Sequence, residues 1–255
     1  MNNKTIAQIK ELLTLNQLTT KDMVLLKRDE RKGVQKIINT YEKEQERQRA
    51  LAARFQRMQQ HDKQYVDRGY QSIAGVDEAG RGPLAGPVVA AAVVLPNDFQ
   101  LMELTDSKQL TKEQRTHFYH VITESALDYS VSIISSEKID EINILEATKR
   151  AMVESLQNLS YPIDYALIDA VPLEKSPVST DSIIKGDELS LSIAAASVLA
   201  KVTRDRLMIE LDKKHPEYNF SSHMGYGTKE HLQMIRTYGV IDAHRRSFNP
   251  VKELL

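Results

Sequence analysis

Two apolar segments flank a turn rich in glycine and proline, and this arrangement restricts the fold more than any other feature of the sequence. Residues 72–76 are short and apolar, and residues 88–95 form a run of valine, alanine and leucine. An apolar run of this length, bounded by turn residues, is typical of a buried strand. Because glycine and proline favour a tight connection, the sequence predicts a β-hairpin here.

The residues after the hairpin predict helices that alternate with strands. We expect helices over residues 111–127, 144–159, 188–214 and 229–238, and strands over residues 129–135, 165–168 and 182–185. Three antiparallel strands followed by such an alternation indicate a mixed sheet with helices on its faces. The predicted fold class is therefore α/β, with a mixed five-stranded sheet flanked by helices.

The first 70 residues differ in composition from the rest of the chain. Residues 6–60 contain one glycine and no proline, and their apolar side chains recur at helical spacing. We expect two or three helices, with a break near residues 19–22, where hydroxyl side chains can cap a helix. Residues 41–60 are too polar to form a core alone, so they either dock on another element or stay mobile. The sequence thus predicts a helical extension over residues 1–70, before a main domain over 71–255.

Charge also separates these two regions. The extension carries 15 Lys and Arg against 9 Asp and Glu, a net charge of +6, and the remainder carries 19 against 26, a net charge of −7. A basic appendage beside an acidic body suits a protein whose appendage meets phosphate while its body holds cations. A solvated helical surface explains the same charges equally well.

Composition excludes several classes of protein. The hydrophobic share of 41% and the charged share of 27% are typical of a globular chain. No apolar run reaches the roughly 18 residues of a membrane-spanning helix, and the N-terminal residues lack the features of a secretory signal. The absence of cysteine excludes disulfides, thiol nucleophiles and cysteine-ligated zinc. We therefore expect a cytoplasmic protein.

Four acidic residues lie at the ends of apolar segments. They are Asp77, Glu78, Asp169 and Asp187. Carboxylates are costly to bury without a partner, so several of them beside buried strands require a cation. Mg²⁺ and Mn²⁺ take oxygen ligands, and four carboxylates suffice for two such ions. A pair of ions about 4 Å apart can activate a water and stabilise the leaving oxygen in phosphodiester hydrolysis.

Each of these carboxylates also has an ordinary structural explanation. Asp187 precedes a predicted helix and suits its N-cap. Asp169 fits a turn after its strand, and Asp77 with Glu78 fits a solvated loop. Since adjacent residues of a regular strand face opposite ways, Asp77 and Glu78 can share a site only where the strand ends or bends. Spacing alone therefore leaves the metal site open.

A resemblance to a known family favours the metal interpretation. Residues 75–88, Gly-Val-Asp-Glu-Ala-Gly-Arg-Gly-Pro-Leu-Ala-Gly-Pro-Val, resemble the signature of type 2 ribonuclease H, the ribonuclease HII family. Further segments match in the same order, at residues 106–110, 167–169, 185–197 and 225–228. The resemblance implies a ribonuclease H-like fold for the main domain. It also implies that the four acidic residues bind two divalent ions, Mg²⁺ or Mn²⁺.

The resemblance also implies substrate contacts. Gly80, Arg81 and Gly82 resemble a loop whose backbone grips the ribonucleotide and its 2′-hydroxyl, and glycine permits that close approach. Tyr226 resembles the tyrosine that packs against the neighbouring sugar and helps sense the RNA-to-DNA junction. Further candidates for contacts with the substrate are Ser107, Lys108, Lys185, Lys201 and Arg204. For Lys201 and Arg204, a solvated helix face is an equally good explanation.

The activity implied by the resemblance is endonucleolytic. It comprises hydrolysis of the RNA strand of RNA–DNA hybrids and cleavage 5′ of single ribonucleotides in duplex DNA, leaving 3′-hydroxyl and 5′-phosphate ends. The implied roles are excision of ribonucleotides and removal of primers, by a monomer. A DNA nuclease of the same fold and a non-catalytic hybrid-binding module stay open as alternatives. We expect no histidine to bind metal, and we expect His231 and His244 to lie on the surface.

Overall fold

The computed structural model of the protein describes residues 4–15 and 17–255. It divides into two compact units, residues 1–54 and residues 55–255. The sequence predicts a boundary at residue 70, but the second unit begins at residue 55, because part of the N-terminal region packs into that unit. None of the described helices combines the length and hydropathy that a bilayer span requires.

The first unit is helical. It contains α1 (Ile6–Thr14), α2 (Thr20–Lys27) and the beginning of α3 (Lys32–Asp67). Thr5 and Thr19 begin α1 and α2 as N-caps, and each is part of a reciprocal capping box. The predicted break near residues 19–22 is confirmed. The buried core consists of Ile9, Leu13, Leu26, Val34 and Ile38.

The second unit is built on a mixed sheet of five strands. They are β1 (Ile73–Ala79), β2 (Val88–Val94), β3 (Asp128–Ile134), β4 (Tyr165–Asp169) and β5 (Ser179–Ile183). Their order is β3-β2-β1-β4-β5. The first three strands pair antiparallel, and β4 and β5 continue the sheet in parallel. The predicted mixed five-stranded sheet is confirmed.

Helices cover both faces of this sheet. The helices of this unit are α4 (Lys112–Ser125), α5 (Ser136–Ile142), α6 (Ile144–Gln157), α7 (Gly186–Leu189), α8 (Leu191–Lys214), α9 (Phe220–His223) and α10 (Lys229–Tyr238). Of these, α4 and α8 lie on one face of the sheet and α6 on the other. Alternate residues of β2 point to opposite faces, so Ala91 packs with α4 and α8 while Ala90 packs with α6. The strand is therefore buried on both sides, as its apolar run predicts.

Helix α8 approaches the sheet unusually closely. A Cβ atom on Gly75 of β1 would lie 2.1 Å from the carbonyl carbon of Ser192 in α8. The alanines at 194–196, which are completely buried, leave room for the same approach. Small residues on both elements thus bring the start of α8 against the strand that carries Asp77 and Glu78, while the short α7 before it lies against β4.

Several details of the sequence prediction are wrong. The helix expected over residues 188–214 is divided at Ser190 into α7 and α8, and the short α9 was not predicted. The fifth strand begins at Ser179, three residues before the predicted start, because this edge strand is polar and pairs with β4 on one side only. Helix α5 was not predicted, since it has only seven residues. The open question about residues 41–60 is answered for their last part: Phe55 and Met58 of α3 are buried in the core beneath α4 and α8.

Candidate metal centre

Three aspartates converge at one end of the sheet. The carboxylate oxygens of Asp77, Asp169 and Asp187 lie within 4.8 Å of one another. Val76 of β1 pairs with Ile168 of β4, so the next residue of each strand, Asp77 and Asp169, lies at the same level. Asp187 follows β5 in the first turn of α7. Across the part of the chain that the structure describes, no other cluster of acidic or histidine side chains is suited to hold a metal ion.

The electrostatics of this cluster are unfavourable without a cation. Asp77 is 4% exposed and Asp187 is 6% exposed. Burial raises the pKa of Asp77 well above its usual value, and the charges of Glu78 and Asp169 add to the effect. Burial, followed by repulsion from Asp169, raises the pKa of Asp187 to about 6. A divalent cation would relieve both causes, because it replaces lost solvation and screens the repulsion.

Hydrogen bonds orient the aspartates. The backbone N–H of Gly186 donates to Asp169 Oδ1 at 2.7 Å, and the N–H of Glu78 donates to Asp77 Oδ1 at 2.7 Å. The hydroxyl of Ser197 in α8 lies near Asp77 and acts to lower the pKa of that carboxyl. These contacts leave other carboxylate oxygens available, so the cluster is held in place without being neutralised.

Glu78 lies beside the three aspartates. Its Oε1 accepts a hydrogen bond of 3.3 Å from Arg81, whereas its Oε2 is buried and has no hydrogen-bond partner. Burial raises the pKa of Glu78, against the lowering effect of Arg81. A buried carboxylate oxygen without a partner is the type of ligand that a hard cation takes. The four carboxylates thus fit a site for Mg²⁺ or Mn²⁺, with Glu78 outside the tight group of three.

The glycine-rich loop after β1 is held from behind by Arg245. This guanidinium is completely buried and donates to the carbonyl oxygens of Gly80, Arg81 and Gly86. Gly80 has a φ of +99°, and a Cβ there would lie 2.1 Å from Arg204 Nε. Glycine is therefore required at this position both by conformation and by space.

Arg204 supports the other end of the same loop. It is 1% exposed and donates to the carbonyl oxygens of Ala85, Pro87 and Met224 at 3.0–3.1 Å. The candidate role of Arg204 as a phosphate contact is therefore wrong, because its donors point into the protein. The helix-face pattern did not reveal this, since its carbonyl partners are distant in sequence.

Comparison with known proteins decides the family. Residues 74–251 match the family model described as Ribonuclease HII, and residues 5–66 match the one described as Ribonuclease HII N-terminal domain. The chain belongs to the ribonuclease HII family. It is thus a metal-dependent hydrolase of the ribonuclease H type, a class that acts on RNA–DNA hybrids.

Curated relatives agree over nearly the full length. A ribonuclease HII of Oceanobacillus iheyensis is 54% identical over 251 residues, which cover 98% of this chain and 96% of the relative. One from Shouchella clausii is 49% identical over 248 residues, with 97% and 95% covered. The resemblance seen in the motifs is confirmed.

Solved structures agree in fold. The ribonuclease H2 of Pyrococcus horikoshii has a TM-score of 0.62 and 26% identity, and the match covers 72% of this chain and 97% of that one. The ribonuclease HII in a PCNA complex from Archaeoglobus fulgidus has a TM-score of 0.60 and 26% identity, with 70% and 96% covered. The ribonuclease H-like fold is confirmed.

Of the candidate lysines, Lys108 lies close to the acidic cluster. Lys108 Nζ is 3.9 Å from Asp106, and the negative charges of Asp106, Asp187 and Asp77 raise the pKa of Lys108, although burial opposes the shift. Lys185 is exposed two residues before Asp187 and has a left-handed backbone, with a φ of 57°. By contrast, Lys201 is paired with Asp205 at 2.6 Å in the same helix.

Asp106 lies near the acidic cluster, although the sequence analysis did not predict it as a site residue. Its side chain caps the 3₁₀ turn at Ser107–Gln109 by accepting from the N–H of Lys108. Its negative charge also helps raise the pKa of Asp187, after burial and the charge of Asp169. The adjacent Ser107 is buried, and its hydroxyl lies 3.0 Å from that of Ser197. Ser107 thus stands behind Asp77, through Ser197.

Tyr226 lies in the loop between α9 and α10. It is 48% exposed, and a Cβ on Gly82 would lie 3.7 Å from its ring. The tyrosine and the glycine-rich loop are therefore neighbours. The expectation that His231 and His244 lie on the surface is wrong, since they are 0% and 1% exposed. Both imidazoles are buried because each one hydrogen bonds within the protein.

Proposed function

We propose that this ribonuclease HII hydrolyses the RNA strand of RNA–DNA hybrids and cleaves on the 5′ side of single ribonucleotides in duplex DNA, leaving 3′-hydroxyl and 5′-phosphate ends. The convergence of Asp77, Asp169 and Asp187 within 4.8 Å supports this proposal most strongly. Ribonucleotide excision and primer removal are the proposed biological roles. A cytoplasmic location and a monomeric state stay predictions.

The metal site would be formed by the three aspartates with Glu78. When bound, two Mg²⁺ or Mn²⁺ ions would supply the charge that activates a water and stabilises the leaving oxygen. Asp77 and Asp169 are held on neighbouring strands by backbone N–H groups, so their oxygens are fixed before any substrate arrives. Such preorganisation matters because phosphoryl transfer demands mainly positioning and charge from the protein.

Substrate recognition would depend on the neighbouring loops. Gly80 and Gly82 present backbone without side chains, which suits close contact with a ribose 2′-hydroxyl. Tyr226 lies beside Gly82 and offers an exposed ring to a sugar. Arg81 and Lys108 are exposed cations next to the acidic cluster, where a scissile phosphate would lie.

Lys185 and Ser107 complete the proposed set. Lys185 is exposed between β5 and Asp187, so its ammonium can meet a neighbouring phosphate. Ser107 would act indirectly, because its buried hydroxyl contacts Ser197 and through it Asp77.

One cleavage assay tests this function against its alternatives. The substrates are a duplex DNA with one ribonucleotide, a uniform RNA–DNA hybrid and an all-DNA duplex, each with and without Mg²⁺. We expect Mg²⁺-dependent cleavage of the first two and none of the third. Cleavage of the all-DNA duplex would favour a DNA nuclease, and binding without any cleavage would favour a non-catalytic hybrid-binding module.

The basic N-terminal extension would add affinity that does not depend on sequence. Three of its exposed lysines are Lys10, Lys21 and Lys36. Replacing all three with glutamine should reduce the slope of log affinity against log salt by up to about 3, because fewer counterions are released from the duplex. Replacing them with arginine keeps the charge and should keep the slope. An unchanged slope in the glutamine variant would contradict this role.

A further inference from the structure

Three histidines are buried directly behind Tyr226. His223, His231 and His244 are 7%, 0% and 1% exposed. The rings of His223 and His231 stack at 4.4 Å with an interplanar angle of 17°, and His231 lies 5.2 Å from the ring of His244. Their nitrogens bond to one another and to the backbone, so this cluster is a hydrogen-bond network and offers no free set of metal ligands.

The network has one consistent arrangement of protons. The N–H of Ile241 donates to His244 Nδ1 at 3.0 Å, so the proton of His244 is on Nε2. That Nε2–H donates to His231 Nε2 at 3.1 Å. The proton of His231 is therefore on Nδ1, which donates to the carbonyl oxygen of Tyr226 at 2.9 Å. Burial lowers the pKa of both His231 and His244 to about 4, so this neutral arrangement persists at pH 7.

His223 holds the other side of Tyr226. Its Nδ1 accepts from the N–H of Gly225 at 3.2 Å, and its Nε2 donates to the carbonyl oxygen of Tyr218 at 2.9 Å. The two residues between His223 and Tyr226 have a left-handed backbone, with a φ of 51° at Met224 and of 82° at Gly225. This conformation is unfavourable for Met224, so surrounding contacts are needed to hold it. Imidazoles thus hold the backbone immediately before and after the tyrosine side chain.

The same cluster reaches the glycine-rich loop. His244 is followed by Arg245, whose guanidinium holds the carbonyls of Gly80 and Arg81. The N–H of Gly86 donates to the carbonyl of Ala243, and the N–H of Arg245 donates to that of Leu84. Residues 243–245 therefore connect the loop that carries Gly80–Gly82 with the loop that carries Tyr226.

We infer that His223, His231 and His244 are positioning residues that set Tyr226 against the Gly80–Gly82 loop and thereby tune the preference for an RNA-to-DNA junction. The inference rests on the proposed function, because it assigns the cluster to the recognition of that substrate. The histidines touch no substrate themselves. Their effect passes through the hydrogen bonds to the Gly225 N–H and to the Tyr226 carbonyl, which add to the bond that the N–H of Thr228 donates to the same carbonyl.

Two substitutions of His231 test this role. His231→Phe keeps an aromatic ring and removes both hydrogen bonds, whereas the amide nitrogen of His231→Asn can replace Nδ1 as the donor to Tyr226. The kcat and KM are measured on a duplex with one ribonucleotide and on a uniform hybrid, which has no junction. We expect His231→Phe to lower kcat/KM on the first substrate about tenfold relative to the second, the effect of one ordinary hydrogen bond, mainly through KM. We expect His231→Asn to restore most of that ratio.

A double-mutant cycle with Tyr226 tests whether the effect passes through the tyrosine. If it does, adding His231→Phe to Tyr226→Ala changes the substrate ratio less than twofold, because the two changes act on one contact. Ile235→Val, a buried change in the same helix as His231, serves as the control and should leave the ratio unchanged. An unchanged ratio in His231→Phe, or additive effects in the double variant, would overturn the inference.

Hydrogen exchange separates this inference from the proposed function. The amides of residues 224–227 should exchange at least about fivefold faster in His231→Phe than in Ile235→Val, because local opening becomes easier. Equal exchange in both variants would overturn the positioning role even if cleavage is altered. If the wild-type protein cleaves neither substrate, the proposed function fails, while the exchange rates still decide whether the histidines hold the loop.

Discussion

Two buried regions of the second unit hold charge in opposite ways. The acidic cluster places Asp77, Asp169 and Asp187 together, with Glu78 alongside. The arginine-held loops contain Arg204 and Arg245, which donate to six backbone carbonyls and pair with no carboxylate in the described structure. Negative charge is concentrated in the first region, and positive charge in the second.

The difference lies in what compensates for lost solvation. Burial lowers the pKa of Arg245 to about 9, so it stays charged at pH 7 while carbonyl dipoles surround it. The aspartates have few donors, and burial raises the pKa of Asp77 well above its usual value. The loops are therefore complete as folded, whereas the acidic cluster would be completed by a cation from solution. In the proposed function, the second region shapes the site and the first one performs the chemistry.

The largest expected effect comes from breaking the acidic cluster. Asp77→Asn should lower kcat by at least about 10³-fold, because one ligand of the proposed metal pair is lost. Its free energy of unfolding in metal-free buffer should not decrease, since the substitution removes repulsion from Glu78 and Asp169. Cleavage assays and urea unfolding measure the two quantities. Asp98→Asn, at an exposed position, is the control; a fully active Asp77→Asn would refute the metal assignment.

Substitution of Arg245 in the arginine-held loops should lower the stability of the protein, which Asp77→Asn should not. Arg245→Met should lower the free energy of unfolding by about 3 kcal/mol, because carbonyls that accept from a charged donor lose their partner. Arg245→Lys should restore only part of this, since an ammonium lacks the planar fork. Urea unfolding measures this loss, and the free energy of unfolding should depend on urea concentration with the same slope in the variant and the wild type. A loss below about 1 kcal/mol would mean that water replaces the guanidinium.

Mg²⁺ should stabilise the protein only through the acidic cluster. At 100 times its dissociation constant, a ligand that binds the folded state alone adds about 2.7 kcal/mol to the free energy of unfolding. We expect an increase of this size in the wild type and in Arg245→Lys, and a much smaller one in Asp77→Asn. Equal stabilisation of all three proteins would place the ion elsewhere.

A smaller effect is expected on the pH dependence of the free energy of unfolding. Burial raises the pKa of Asp187 to about 6, from 3.8. The folded state therefore holds this proton more tightly, and the associated stability is lost as pH rises from about 4 through 6. Asp187→Asn should remove a loss on the order of 1 kcal/mol over that range in metal-free buffer. The measurement is the free energy of unfolding at several pH values. The same dependence on pH in the variant and in the wild type would contradict this prediction.

The buried histidines should respond to pH with the opposite sign. Burial lowers the pKa of His231 and of His244 to about 4, from 6.5. The unfolded chain therefore binds protons first, and the stability that these residues contribute is lost as pH falls from 6.5 through 4. His231→Phe should be less sensitive to pH than the wild type across this window. Unfolding curves recorded from pH 7 to pH 4 measure the difference.

Local pattern accounts for most of the successful predictions. The valine and alanine run of β2 is buried on both faces, and Thr19 caps the helix that follows the predicted break. These outcomes follow from side chains acting on their own neighbours in sequence. The start of the polar β5 was predicted three residues too late and the seven-residue α5 was not predicted, because tertiary contacts, more than periodicity, stabilise short elements.

The sequence by itself determined the strands of the central sheet, the family and the four carboxylates, because each depends on residue type and order along the chain. Only the tertiary structure placed Glu78 beside the group of three aspartates and buried Arg204, Arg245, His231 and His244. The partners of Arg245 lie as many as 165 residues away, at backbone carbonyls that every residue possesses. A charged or polar side chain satisfied by such groups resembles a surface residue in sequence, and only folding reveals its partner.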